Sequence, residues 1–274
     1  MLHFSSPGTP ASTPASAGTL RGLDRCKELG ITAMELEWVQ SVPKNVEHVE
    51  AIGQKAVDLG ITLTIHAPYY VNLNAKDRSV RIASKKRILA ALTMGQICKA
   101  KSVCVHPAFH LGMDPTKVFE NVRRATDDIM KHQSTLFPDV NLAYETMGKP
   151  TQFGTLEEVL KLSKEFGIYP CVDSAHMHAR SNGAWNSAKE WNAMLDLYEE
   201  HLGKKSHMHL HFSGIAYGPK GEKHHLPLRE SDAKWREFLG VLNMRKVRGV
   251  LVVESPAQEE DVLLMKNAFG KRSM

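Results

Sequence analysis

Short apolar runs rich in β-branched residues alternate along the chain with longer stretches of helical periodicity. The runs fall at residues 2–4, 33–38, 61–66, 102–106, 140–146, 168–173, 207–212 and 249–254, and each predicts a strand. Amphipathic stretches at 20–29, 45–59, 79–99, 116–131, 155–166, 186–202, 232–244 and 259–269 predict helices between them. Gly30, Gly60, Gly167 and Gly203 follow periodic stretches, where a glycine can take the left-handed conformation that ends a helix. Thr155 with Glu158 three residues on reads as a capping box. Parallel neighbours need a long crossover, so strand-then-helix repeated eight times implies a parallel sheet. Eight units in this length fit an α/β fold of one closed (β/α)8 TIM barrel spanning residues 1–274, with its active site at the C-terminal strand ends. A doubly wound open sheet is the rival, but no GxGxxG follows the first strand. The Ser/Pro/Thr/Ala-rich segment 5–18 follows a strand, so an ordered loop is expected there.

Composition adds exclusions. With 42% hydrophobic and 24% charged residues, the chain is neither disordered, collagenous nor a coiled coil. No apolar run reaches the roughly 18 residues of a membrane span. The formal charge of +5 permits a polyanionic partner. Cys26, Cys98, Cys104 and Cys171 form no CxxC pair, and the first residues lack a secretory pattern. Reduced thiols and a cytoplasmic location are expected.

The chemistry concentrates where predicted strands end. Six consecutive strands finish in His66, His106, Glu145, Asp173, His211 and Glu254. In a parallel barrel these ends share one face. Crowded carboxylates raise each other's pKa unless cations sit among them. Imidazole and carboxylate together suit zinc, iron or manganese. Asp173-x-x-His176 leaves its strand, so His176 can turn toward a neighbouring metal. A Gly-rich loop after the seventh strand offers Glu222-x-His224 on one side of an extended segment. His178 and His225 compete with His176 and His224 for these roles. His207 and His209 share the strand face of His211 and lie deeper.

Taken together, HAPYYVNL, VHP, YET, VDSAH, HLHFS, GEKHH and VVES resemble the endonuclease IV family of apurinic/apyrimidinic endonucleases, among the xylose-isomerase-like barrels, over residues 60–256. The resemblance implies three zinc ions, with manganese or iron an alternative at one position. His66, His106 and Glu145 would hold the first. Glu145 would bridge to a second held by Asp173, His211 and Glu254. His176, Glu222 and His224 would hold the third, Glu222 standing where bacterial members have Asp. It further implies DNA repair by incision 5′ to an abasic site in double-stranded DNA, leaving a 3′-hydroxyl. Glu145 or Glu254 would take the proton, and a nucleoid-associated monomer is expected. Tyr69 and Tyr70 match the position of side chains that enter the duplex, and Lys220 and Lys223 are phosphate candidates. Lys76, Arg78, Arg81, Lys85, Lys86 and Arg87 could also contact phosphates. The first 60 residues depart most, since residues 35–42 carry no basic side chain to help distort DNA. The main alternative is a mononuclear sugar isomerase or epimerase using Glu145, Asp173, His211 and Glu254. A non-catalytic, metal-stabilised DNA-binding protein is a third possibility.

Overall fold

A computed structural model describes residues 1–14, 16–203 and 207–270. Its strands, in chain order, are β1 (Leu2–Pro7), β2 (Ala33–Glu37), β3 (Thr62–His66), β4 (Ser102–Val105), β5 (Ala108–Phe109), β6 (Asn141–Glu145), β7 (Gln152–Phe153), β8 (Tyr169–Asp173), β9 (Met208–Phe212), β10 (Gly214–Gly218), β11 (Gly221–Leu226) and β12 (Gly249–Val253). The helices are α1 (Gly18–Leu29), α2 (Val46–Leu59), α3 (Arg78–Ile97), α4 (Pro115–Met130), α5 (Gln133–Leu136), α6 (Leu156–Phe166), α7 (Ser174–Arg180), α8 (Ala188–Leu202), α9 (Trp235–Met244) and α10 (Glu259–Gly270). Strands β1, β2, β3, β4, β6, β8, β9 and β12 close into an all-parallel barrel, and each corresponds to an expected run. The helix punctuation follows the sequence signals. Gly30, Gly60 and Gly167 adopt left-handed conformations, and Thr155 and Glu158 form a reciprocal capping box.

Six elements go beyond the expected alternation. A turn of helix, α5, follows α4, and the short α7 directly follows β8. Strands β5 and β7 pair outside the barrel, and β10 and β11 form an antiparallel hairpin after β9. The Ser/Pro-rich segment is fastened where it is described. The amides of Ala11 and Ser12 donate to the Glu259 carboxylate at 2.8 Å each, and Thr13 is buried. Ala15 lies outside the described residues.

Strand alternation sorts the residues into two environments. Met34, Leu36, Leu63, Ile65, Val103, Val105, Leu142, Leu251 and Val253 belong to the main apolar cluster between strands and helices. The opposite phase lines the interior. Toward the closed end this phase supplies the small cluster of Ala33, Val250 and Val252. Cys104, Ala143 and Cys171 form another small cluster within the barrel. Above them the interior phase becomes ionisable, and the candidate site begins.

Candidate metal centre

Glu145, the last residue of β6, divides the site. Its Oε2 lies 2.8 Å from His106 Nε2 and 3.5 Å from His66 Nε2. Its Oε1 lies 3.1 Å from His176 Nδ1 and 3.5 Å from His211 Nδ1. One oxygen therefore faces each flank, as a bridging carboxylate requires. On the second flank His211 Nδ1 is 3.2 Å from Glu254 Oε1 and 3.9 Å from Asp173 Oδ2. Ligand atoms of Glu145, Asp173, His211 and Glu254 all lie within 4.8 Å of one another.

Local structure aims these side chains. Asp173 ends β8 and caps α7, its Oδ1 accepting from the His176 amide at 2.7 Å. The short helix turns His176 back over the barrel, with Nε2 3.3 Å from Glu222 Oε2. His66 Nδ1 donates to the Ala67 carbonyl at 2.9 Å, and His176 Nδ1 faces the Thr146 carbonyl at 3.0 Å. A carbonyl only accepts, so each Nδ1 carries hydrogen and Nε2 is left for the centre. His211 is turned the other way. Its Nε2 lies 3.0 Å from Glu35 Oε1 and its Nδ1 faces the cluster.

Glu35 and Glu37 of β2 are site residues that the strand-end reading missed. Glu35 is fully buried and also pairs with His209 Nε2 at 2.9 Å, while His209 Nδ1 meets Ser102 Oγ. Glu37 opens into the mouth beside Tyr69, His225 and Glu254, in a cleft of about 320 Å³. The available signal was the alternation of acidic with apolar residues in the 33–38 run, which points two glutamates into the interior.

The third corner differs from the expectation. Glu222 reaches His176, but His224 does not join it. Ladder pairing sets Ile215 against His225, Ala216 against His224 and Tyr217 against Glu222, with the register shifting between Ala216 and Tyr217. Lys223 is the extra residue of this bulge. Ile215 and Tyr217 share a face, so Glu222 shares its face with His225, and His224 is exposed opposite Ala216. His225 stacks edge-on to His176 at 5.8 Å. Its Nδ1 is 2.9 Å from the Glu254 carbonyl, again leaving Nε2 available.

Among the candidate substrate contacts, Tyr69 is 48% exposed and packs 5.1 Å from the His66 ring, whereas Tyr70 is 63% exposed. Lys220 and Lys223 are exposed at the hairpin tip. Several basic residues after this loop are engaged internally. Arg81 donates to the Ala75 and Lys76 carbonyls, Lys85 pairs with Asp128, and Arg87 donates to the Tyr70 carbonyl.

Electrostatics test whether cations fit. Burial opposes charge throughout, yet His106, His176 and His211 hold Glu145 well below the usual carboxylate range. Burial likewise opposes charge on His66, but Glu145 and Glu37 push it up to about 10. His176 and His211 are raised well above the usual imidazole value against the same burial, the first chiefly by Asp173 and the second by Cys171 and Glu254. Burial, reinforced by Glu145 and Glu254, pushes Asp173 up to about 7. Glu37, whose side chain reaches solvent at the mouth, is raised above the usual carboxylate range by partial desolvation with the fields of Glu35 and Glu254. Buried Glu145 Oε1, Asp173 Oδ2, His211 Nδ1 and Glu222 Oε2 have no hydrogen-bond partner among the described residues. Orphaned buried groups of this kind are costly, and divalent cations would satisfy them with neutral imidazoles. The donor set fits metal ions.

The comparisons agree with this frame. The description xylose isomerase-like TIM barrel matches residues 23–268. The chain belongs to that family. It is 35% identical to an uncharacterized protein, MJ0133, of Methanocaldococcus jannaschii, covering 99% of this chain and 98% of the relative. Identity to a probable endonuclease 4 of Malacoplasma penetrans is 27%, over 48% of this chain and 47% of that one. In fold it is similar to the E. coli 3-keto-D-glucoside 4-epimerase YcjR (TM-score 0.72, 14% identity, covering 97% and 98% of the two chains). It is also similar to endonuclease IV from Thermus thermophilus (TM-score 0.70, 18% identity, covering 98% and 97%). The fold alone does not separate a nuclease from an epimerase, and the site must. No helix among the described residues is long and apolar enough to cross a membrane.

Proposed function

We propose that the protein is a metal-dependent DNA repair endonuclease that hydrolyses the phosphodiester 5′ to an abasic site in duplex DNA, leaving a 3′-hydroxyl. The observation that carries this reading is the surplus of donors. One ion served by Glu145, Asp173, His211 and Glu254 leaves His66, His106, His176, Glu222 and His225 without a common task. Three ions employ them all: His66, His106 and Glu145 for the first, Glu145, Asp173, His211 and Glu254 for the second, and His176, Glu222 and His225 for the third. In this assignment His225 takes the role that motif spacing gives to His224. Zinc suits the nitrogen-rich flanks, and manganese or iron suits the oxygen-rich middle.

Charge supports bound cations. Six carboxylates, Glu35, Glu37, Glu145, Asp173, Glu222 and Glu254, surround the mouth. Protonated imidazoles offset part of this charge in the metal-free protein, and once they become neutral ligands divalent ions must replace that offset before a phosphodiester can approach. Bound ions would supply Lewis acidity to water and to the anionic phosphodiester. The protein's own groups do the rest. Glu145 sets the spacing between flanks, and Glu145 or Glu254 accepts the proton of the attacking water. Glu37, at the mouth beside Glu254, is placed to pass a proton to the departing oxygen. Tyr70 enters the duplex at the lesion, Tyr69 walls the site, and Lys220 and Lys223 meet phosphates.

The second reading is a single-metal sugar isomerase or epimerase. The tight Glu145, Asp173, His211 and Glu254 cluster beside a sugar-sized cleft favours it. The test is a duplex with one abasic analogue, incubated with metal-loaded protein and resolved on a denaturing gel. A single nick on the 5′ side is expected. No incision, combined with turnover of a ketose, overturns the nuclease reading.

A further inference from the structure

Cys104 lies at the edge of the first flank. Alternation along β4 puts it on the interior face with His106, and His66 is its direct partner in the β3–β4 ladder. It is fully buried. Its thiol donates to Glu145 Oε2 at 3.2 Å. The same oxygen is 3.5 Å from His66 Nε2 and 2.8 Å from His106 Nε2. Ligand atoms of His66, Cys104 and Glu145 lie within 4.8 Å of one another. Four ligands held tetrahedrally at about 2.1 Å from one ion are about 3.4 Å apart. The two imidazole nitrogens and the sulfur each lie within 3.5 Å of Glu145 Oε2, so the four ligand atoms gather around that oxygen.

We infer that Cys104 is a thiolate ligand of the first metal position, closing it as a two-nitrogen, one-oxygen, one-sulfur site for a thiophilic divalent ion. This rests on the metal-centre reading above. The thiol proton leaves to solvent as the metal–sulfur bond replaces the hydrogen bond to Glu145. A closed fourfold site with a soft ligand selects zinc or cadmium over manganese or magnesium. It also leaves open coordination to the middle position, between Asp173 and Glu254. Cys171 offers the natural control. Its sulfur lies with Cys104 and His211 in a neighbouring cluster that includes neither His66 nor Glu145.

The experiment loads metal-stripped, full-length protein with cobalt(II) and records its absorption spectrum. A near-ultraviolet sulfur-to-cobalt charge-transfer band is expected. It should disappear in Cys104→Ala and Cys104→Ser and persist in Cys171→Ala. In the same variants, preference for cadmium over manganese should fall at least tenfold. A cadmium NMR resonance of the wild-type protein, shifted downfield by sulfur, reads the same ligation without any substitution. Cobalt uptake without the band overturns the inference, as does a band that survives Cys104→Ala or vanishes only in Cys171→Ala. Failure to take up cobalt at all overturns the metal-centre reading and this inference with it.

Discussion

Loading the metal-free protein should expel about four protons at pH 7.5, three from imidazoles and, on the inference above, one from the Cys104 thiol. In the absence of metal, the clustered carboxylates keep nearby imidazoles protonated. With His66 pushed up to about 10, all but about one molecule in 300 carries that proton at pH 7.5. His176 and His211 are raised well above the usual imidazole value, so both are charged as well. Asp173, at about 7, adds about a quarter of a proton. An imidazole binds metal only when the coordinating nitrogen is bare, so these protons must leave. Metal affinity therefore rises with pH. The linkage to folding has the opposite sign. Raised imidazoles stabilise the metal-free fold below their unfolded value of about 6.5 and lose that contribution as pH climbs toward about 10. The metal-free Tm should fall over that window, and the loaded protein should stay nearly flat. Calorimetric titration with zinc in two buffers of different ionisation enthalpy gives the proton count directly. A count below one would refute the picture of carboxylates holding the site's imidazoles charged.

Replacing Glu145 with Gln removes the oxygen that serves both flanks, so incision should fall by several orders of magnitude and bound metal should drop, read by nicking assay and elemental analysis. Gly148→Ala is a local probe. A Cβ there would meet Glu222 Oε2 at 2.0 Å, the far end of a flexible side chain, so Glu222 should swing away from His176. About one metal ion should be lost with little change in Tm. Gly249→Ala should instead damage the fold. Gly249 sits at φ +137°, and a Cβ would lie 2.0 Å from the Met208 carbonyl oxygen in the adjoining strand. The expected cost is about 3 kcal/mol or more, a Tm drop of roughly 6 °C or more by scanning calorimetry.

The barrel was legible because its signals are local. Each parallel strand buries its outer face against helices, so it reads as a short apolar run, and left-handed glycines mark where helices stop. The strand-end candidates were legible because six ionisable side chains at consecutive strand ends must share one face of a parallel barrel. Glu35 was not, because it sits mid-strand and its pairing with His209 and His211 depends on barrel closure bringing β2 toward β9.

The hairpin shows why His224 does not share the face of Glu222 that motif spacing predicts. Both ends of β11 are pinned by partners far away in sequence. At the tip, the Glu222 amide donates to the Gly148 carbonyl at 3.1 Å, and the Gly221 backbone runs so close to that carbonyl that a Cβ would lie 2.3 Å from it. Two positions beyond the bulge, His225 Nδ1 is held between Ser213 Oγ at 2.7 Å and the Glu254 carbonyl. Between these anchors β11 has one residue more than β10 can pair, and Lys223 bulges. A one-residue offset exchanges the faces of every following side chain. His224 therefore turns to solvent and His225 turns inward, for a reason located in residues 148, 213 and 254 rather than in the motif. Deleting Lys223 removes the surplus residue while Ile215–His225, Ala216–His224 and Tyr217–Glu222 stay paired, so Glu222 and His225 should remain on one face by plain alternation and metal binding at this corner should be kept, read by elemental analysis; its loss would refute the bulge argument.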